Sequence, residues 1–386
     1  MARSTRGTAG ACLAALLALG AACAAPEAPP PRAPRPAATA PDGGFTLVAS
    51  GDVLPHSSII RRARADAGGH GYDFRRMLAG ARSVIAPADL AICHMETVYG
   101  APGDYSGYPV FRSPPQVAAG LRATGYDACS TASNHTLDAG AAGVARTLEA
   151  LDRAGIAHAG SGRTAAEGRG PARLRAGGAE IAHLAYTYDT NGYAQPPGRP
   201  WTVNLIDRRR IVADARAARR AGADVVVVSL HWGTEWQDEP NEQQLTLGRR
   251  LTASRTRGRP DIDLILGTHA HVPQAYEKVN GVWIIYGMGD QIAGAMINHE
   301  GADDVRGNLG TIGRFTFDRP ARPGARWRVT RAAFVPMWFD PGTGRAVNLN
   351  KALARGAGGD VRALRDRIRR TVLSRGATGD GLLMGE

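Results

Sequence analysis

Lysine is nearly missing from this chain, occurring only at positions 278 and 351, so the formal charge of +12 and the pI near 10.1 rest on arginine. The arginines are scattered along helical patterns and loops. No aromatic-interleaved basic patch and no helix-turn-helix pattern accompanies them, which argues against nucleic-acid binding and leaves a positive surface suited to anionic partners. Cysteine is equally scarce, with four in 386 residues. Past the first 25 residues only Cys93 and Cys129 remain, too few for a disulfide-scaffolded fold. Both lie in apolar runs that read as neighbouring strands, a placement that suits one disulfide or two buried thiols. No fixed-period repeat is present, which excludes solenoids. The only long apolar stretch, Ala11 to Leu19, is too short and alanine-rich to span a bilayer stably.

What is present begins with that stretch. Arg3 and Arg6 precede it and the small residues Ala21-Ala22-Cys23-Ala24-Ala25 follow, so residues 1–25 read as an export signal and the protein as exported, extracellular or attached to the cell surface. Cys23 after Leu19-Gly20-Ala21-Ala22 is similar to a bacterial lipobox, and both lipid attachment and ordinary cleavage fit the residues. Residues 26–43, proline-rich with seven prolines from Pro26 to Pro41, form an extended linker. Residues 44–345 form the main domain, and 346–386 a C-terminal helical tail.

From Gly44 onward, short apolar runs alternate with Ala/Arg/Leu helical patterns, which defines an α/β chain. Strands are expected at Phe45 to Ser50, Leu90 to Cys93, Ala128 to Ala132, Val225 to Leu230, Ile262 to Leu266 and Val282 to Tyr286. The valine run at 225–228 marks a strand buried on both faces. Residues 156–186 read as a meander in which antiparallel pairing enters, and 313–339 as antiparallel strands.

The ends of these strands carry the chemistry. Asp52, Glu96, Asn134 with His135, His231, His269 with His271, and Asp290 each follow a predicted strand, and so do His56 and His94. Of ten histidines, six lie at such ends. Open α/β sheets build their sites beyond the carboxyl ends of strands, so residues more than 200 positions apart can converge there. Carboxylates, one amide oxygen and imidazoles form a mixed donor set suited to manganese, iron or zinc, and the count is enough for two divalent ions. Each residue also has a structural reading: a helix N-cap for Asp52, a loop acid for Glu96, a turn residue for Asn134, a satisfied core histidine for His231. The roles of His56, His94 and Asp290 stay open, and His70, His158, His183 and His299 are read as ordinary.

The ordered set Gly51-Asp52, Met95-Glu96, Asn134-His135 with Asp138 and Gly140, His231-Trp232-Gly233-x-Glu235 and Gly267-x-His269-x-His271 resembles the CapA family of poly-γ-glutamate capsule proteins. That family looks like a branch of the calcineurin-like metallophosphoesterases. The resemblance covers Phe45 to Gln291. It implies a metallophosphatase-like αββα sandwich of two mixed β-sheets flanked by helices, with two metal ions. It further implies Asp52 as bridging carboxylate, Glu96, Asn134, His231, His269 and His271 as further ligands, and His135 as the residue that protonates a leaving oxygen or steadies the transition state. His56 stands four places after Asp52, where the phosphoesterases have Asp-x-His. His94-Met95-Glu96 replaces the family's Asn-Leu-Glu, and Gly289-Asp290 its Gly-Asn. The expected activity is metal-dependent hydrolysis of a phosphoester or of poly-γ-glutamate. The alternative is a non-catalytic surface component of capsule synthesis or export, working with membrane-bound capsule synthesis proteins.

Overall fold

The computed structural model describes residues 1–2, 43–322 and 325–386. The expected export signal 1–25, with Cys23, and the linker up to residue 42 lie outside the described residues apart from Met1 and Ala2. The chain divides into Met1–Pro31 and Arg32–Glu386, and the architecture that follows belongs to the second unit.

Strand β1 (Phe45–Val53) is followed by helices α1 (Ser57–Asp66) and α2 (Arg75–Ile85) and strand β2 (Leu90–Met95). The two-residue strands β3 (Val98–Tyr99) and β4 (Arg112–Ser113) pair with each other ahead of α3 (Gln116–Thr124), β5 (Ala128–Ser130), α4 (Gly140–Arg153) and β6 (Ala157–Ala159). A short helix α5 (Ala165–Arg169) leads to the hairpin β7 (Ala172–Ala176) and β8 (Ala179–Thr187), then α6 (Arg208–Arg220), β9 (Val225–His231) and α7 (Glu242–Thr252). Next come the small hairpin β10 (Arg255–Thr256) and β11 (Arg259–Pro260), then β12 (Leu264–Thr268), β13 (Tyr276–Val279), β14 (Val282–Ile285) and β15 (Asp290–Ile292). The long strands β16 (Leu309–Asp318) and β17 (Arg328–Asp340), strand β18 (Arg345–Asn348), helices α8 (Leu349–Ala354) and α9 (Gly359–Leu373) and strand β19 (Leu382–Met384) complete the chain.

These strands form two mixed sheets. The first runs β18-β17-β16-β1-β2-β5-β6, with β15 also on β1 and β19 on β17; the second runs β13-β14-β12-β9-β8-β7. The period-2 alternation of the strands explains the layering. Phe45, Leu47 and Ala49 of β1 enter the apolar layer between the sheets with Val225 and Val227 of β9. Val226, Val228 and Leu230 face the other way, onto Ile211 of α6 and Leu251 of α7. Val48 packs outward with Met77 of α2, Leu121 of α3 and Leu148 of α4. The result is the expected αββα sandwich, and the valine run is buried on both faces as its composition requires.

Two expectations need correction. Residues 156–186 are not a meander: β6 extends the first sheet in parallel beside β5, while β7 and β8 pair antiparallel in the second, so the chain changes sheets between them. Apolar alternation in β7, buried at Ala172, Leu174 and Ala176 with exposed arginines between, supplies the strand inside what read as a hydrophilic stretch. Residues 346–386 do contain two helices but are no tail. Ile368 and Val372 of α9 join the inter-sheet core, and β19 pairs in parallel with Ala332 to Phe334 of β17. Cys93 and Cys129 stand in register on β2 and β5 with Cα atoms 4.4 Å apart and are joined as a disulfide.

Candidate metal centre

Strand register assembles the centre. On the first sheet, Asp52 pairs with His94 of β2 on one side and Asp290 of β15 on the other. Both pairings shift register next to Asp52, so the strand bulges where the carboxylate turns inward. Gly51 permits this close approach, because a Cβ there would lie 1.7 Å from the Gly289 carbonyl oxygen. On the second sheet, His231 ends β9 opposite Thr268, the last residue of β12. The chain then turns through His269 (φ 92°) and His271 (φ 57°), both in the left-handed region that non-glycine residues rarely adopt. Such strain persists only where the surroundings enforce it. Here the turn aims the His269 backbone N–H at Asp52 Oδ2, 3.1 Å away, which ties the second sheet to the first.

Two groups of donor atoms result, each within 4.8 Å of one another: Asp52 with His94 and His231, and Asp52 with His271 and Asp290. Asp52 belongs to both. His94 Nε2 lies 3.7 Å from Asp52 Oδ1, and His271 Nδ1 3.1 Å from Asp290 Oδ1. Around the first group, His231 Nε2 is 2.9 Å from Asn134 Oδ1 and 3.8 Å from Glu96 Oε1. The ring of His269 packs against both His231 (4.7 Å) and Tyr188 (4.4 Å). His94 and Asp290, whose roles the sequence leaves open, both enter these groups, and position at a strand end is the signal that each carries.

The second contacts of the histidines fix their orientation. His94 Nδ1 meets Ser130 Oγ at 2.7 Å and His231 Nδ1 meets Thr268 Oγ1 at 3.0 Å, which leaves each Nε2 turned toward the carboxylates. Ser130 and Thr268 had no distinguishing sequence signal.

The donor set fits a divalent cation. Asp52 Oδ1, His94 Nε2, both Glu96 carboxylate oxygens, His269 Nδ1 and Asp290 Oδ2 are buried without a hydrogen-bond partner. Several uncompensated carboxylate oxygens in one dry site are costly unless a cation faces them. Burial, then the neighbouring Asp290 charge, pushes Asp52 well above the usual carboxylate range, and burial with Asp52 does the same to Glu96. Burial pushes Asp290 up to about 6 against the pull of His271. Burial holds His94 down to about 3 and keeps His231 and His269 well below the ordinary imidazole value, so these three present the neutral form that binds metals. For His271, burial opposes protonation, but the Asp290 and Glu96 carboxylates outweigh it and push the ring well above the ordinary imidazole value.

His135 lies beside the centre. Its Nδ1 is 2.8 Å from Asp138 Oδ2, which also accepts the Phe111 N–H at 2.6 Å. Asp138 therefore sets the ring's tautomer and leaves Nε2 for other work. Asn191, on the loop after β8, places Nδ2 3.4 Å from His135 Nδ1 and accepts from Asn134 Nδ2 at 3.2 Å. His56 packs edge-on against Phe111 at 5.0 Å, is driven down to about 4 by burial, and joins neither donor group.

The profile of the bacterial capsule synthesis protein family PGA_cap matches residues 46–295, which include Asp52 through Asp290. A probable polyglutamine synthesis accessory protein of Mycobacterium tuberculosis is 28% identical over 218 residues, covering 53% of this chain and 55% of that protein. The PGA biosynthesis protein CapA of Bacillus subtilis is 27% identical over 172 residues, 44% of this chain and 43% of that one. The chain thus spans about half the length of the curated relatives it matches. Among solved structures, a putative 5′-nucleotidase of Staphylococcus aureus aligns over 84% of this chain and 58% of its own at 14% identity, with a TM-score of 0.46. The calcineurin-like phosphoesterase YfkN of Bacillus subtilis aligns over 84% and 99% at 14% identity, with a TM-score of 0.43. With the family profile matched over well more than half its length, this chain belongs to the PGA_cap family of bacterial capsule synthesis proteins.

Proposed function

We propose that the protein is an exported, metal-dependent hydrolase that cleaves a phosphoester or a poly-γ-glutamate chain at the cell surface. The observation that carries the proposal is the Asp52 carboxylate common to two buried donor groups, an arrangement suited to two ions sharing one ligand. Asp52, His94 and His231, with Glu96 and Asn134 beside them, would hold one ion; Asp52, His271 and Asp290 would hold the other, with His269 at their edge. When bound, such ions supply Lewis acidity toward a phosphoryl or acyl oxygen and lower the pKa of water.

The chain's own residues supply the rest. His135, oriented by Asp138, stands where it can donate a proton to a leaving oxygen. Asn134 and Asn191 offer amide groups to a polar substrate, and Tyr188 and the Trp236 ring, 6.2 Å from His271, wall the site. The net positive charge favours an anionic substrate. The names of relatives, a polyglutamine synthesis accessory protein and PGA and capsule biosynthesis proteins, support a polyglutamate-related substrate and capsule-synthesis partners. The basic, apolar and small-residue pattern of residues 1–25 supports export.

Those same names favour a second reading, in which the centre holds a polyanion during synthesis or export without cleaving it. Elemental analysis for manganese, iron and zinc, followed by assays on phosphodiesters, phosphomonoesters and poly-γ-glutamate, separates the two. Two ions per chain with turnover abolished by Asp52→Asn supports the hydrolase. Two ions with no turnover of any of the three refutes it in favour of the holding role.

A further inference from the structure

A second polar pocket lies at the other end of β1, six residues before Asp52, so roughly 20 Å from the metal centre at the usual strand rise. Two rungs of the first sheet build it. Arg314 of β16 stands opposite Val48 of β1 and Ala333 of β17, and the next rung joins Thr46, Thr316 and Arg331. Directly paired residues share a face. Val48 places this one on the helix side, because Phe315 and Phe317 point between the sheets. Helix α2 covers the face higher up and stops at Ile85, where Pro87 forms one wall and Leu383 of β19 another. The pocket, open to solvent on one side, has a volume of about 410 Å³.

The side chains there are unusual in what they lack. Arg314 is half-buried, and its Nε is fully covered without a hydrogen-bond partner. Burial, then the like charge of Arg331, disfavours its guanidinium. A long stem lying on apolar surface accounts for one arginine on a sheet face. Two at diagonal positions repel each other, and the Asp89 carboxylate at this rung is engaged by the Thr46 N–H at 2.8 Å. A bound anion relieves that repulsion and satisfies the covered donors.

We propose that this pocket binds a phosphate group, clamped by Arg314 and Arg331 with the hydroxyls of Thr46 and Thr316 as further donors. Donors arriving from two rungs suit a tetrahedral group with several acceptor oxygens better than a flat carboxylate. The apolar walls at Pro87 and Leu383, the latter 59% exposed, suit an organic substituent on that phosphate. A soluble phosphomonoester and a phospholipid headgroup share this chemistry. Strand β1 begins at Phe45, next to Thr46, at this end of the sheet. The site is independent of the metal centre and of the activity proposed for it.

The test uses the full chain carrying Cys23→Ser, so that no acyl group contributes, compared with the same chain carrying Arg314→Met or Arg331→Met. These changes keep the apolar stem and remove the fork, and unaltered melting temperature and metal content verify the fold. Calorimetric titration with inorganic phosphate and glycerol phosphate, and sedimentation with phosphatidylcholine vesicles with and without phosphatidylglycerol, provide the readouts. Binding weaker by about tenfold or more in each variant, the worth of a charge-assisted hydrogen bond, supports the proposal. Because the metal centre is intact in all three proteins, the difference isolates this pocket. Recruitment to phosphatidylglycerol vesicles that is lost in Arg314→Met assigns the phosphate to a lipid; phosphate binding without recruitment assigns it to a soluble compound. Equal binding by all three proteins, no binding of phosphate or anionic vesicles, or displacement of phosphate by lower concentrations of poly-γ-glutamate overturns it.

Discussion

Loading a chelator-stripped chain with Mn²⁺ or Zn²⁺ should release protons, because the centre as built holds protons that a metal displaces. Burial pushes Asp52 and Glu96 well above the carboxylate range, while the surrounding carboxylates, Asp290 first, push His271 up against its burial. Ligation needs the carboxylates charged and the imidazole neutral. Affinity therefore rises with pH, by about tenfold per unit for each proton released, or ~1.4 kcal/mol. One proton gives a gain of about 100-fold between pH 6 and pH 8. The metal-free fold has a matching signature. Asp290, raised from 3.8 to about 6, contributes stability that is fully present below pH 3.8 and lost as pH rises through about 6. Calorimetric titration in two buffers of different ionisation enthalpy, at pH 6, 7 and 8, counts the protons directly. An affinity flat across that range, with no buffer dependence, would refute the reasoning.

Three substitutions probe other parts of the same construction. Ser130→Ala removes the 2.7 Å contact that orients His94, and metal affinity should fall by about 10- to 100-fold with little change in global stability; unchanged affinity by competition with a chromogenic chelator would show that the serine merely fills space. His135→Asn should lower turnover by about 10² to 10⁴ while leaving metal content intact, as steady-state rates and elemental analysis on one preparation will show. Cys93→Ser opens a bridge spanning a sequence separation of 36, and denaturant unfolding should register a loss of about 4 kcal/mol on the loop-closure argument.

The strand ends were legible because apolar runs stop abruptly at polar residues, and a sheet must deliver those residues to one edge. Asp52, Asn134, His231 and the His269/His271 pair could be placed in that way from the sequence. Asp290 was harder, since β15 is three residues long and carries almost no alternation to mark it as a strand. Strand β19 was hidden for the same reason, its apolar run being only Leu382-Leu383-Met384. Sheet membership was not legible either. Strands β6 and β8 look alike in composition, and only long-range register decides that one joins the first sheet and the other the second. The orienting hydroxyls of Ser130 and Thr268 escaped notice because serine and threonine at strand ends are common, and their partners lie 36 and 37 residues away.

Each donor group takes ligands from both layers of the sandwich: His94, Asp52 and Asp290 from the first sheet, His231 and His271 from the second and the turn that follows it. Below the centre the layers meet mainly through apolar side chains, which permit small sliding with little directional resistance. At the centre they are riveted, since the His269 N–H reaches Asp52 across the gap and ligand geometry tolerates only a few tenths of an ångström. A sideways slip of one sheet over the other would therefore show first in the distances between these donor atoms, so an ion held there would gauge how the two halves of the fold are seated.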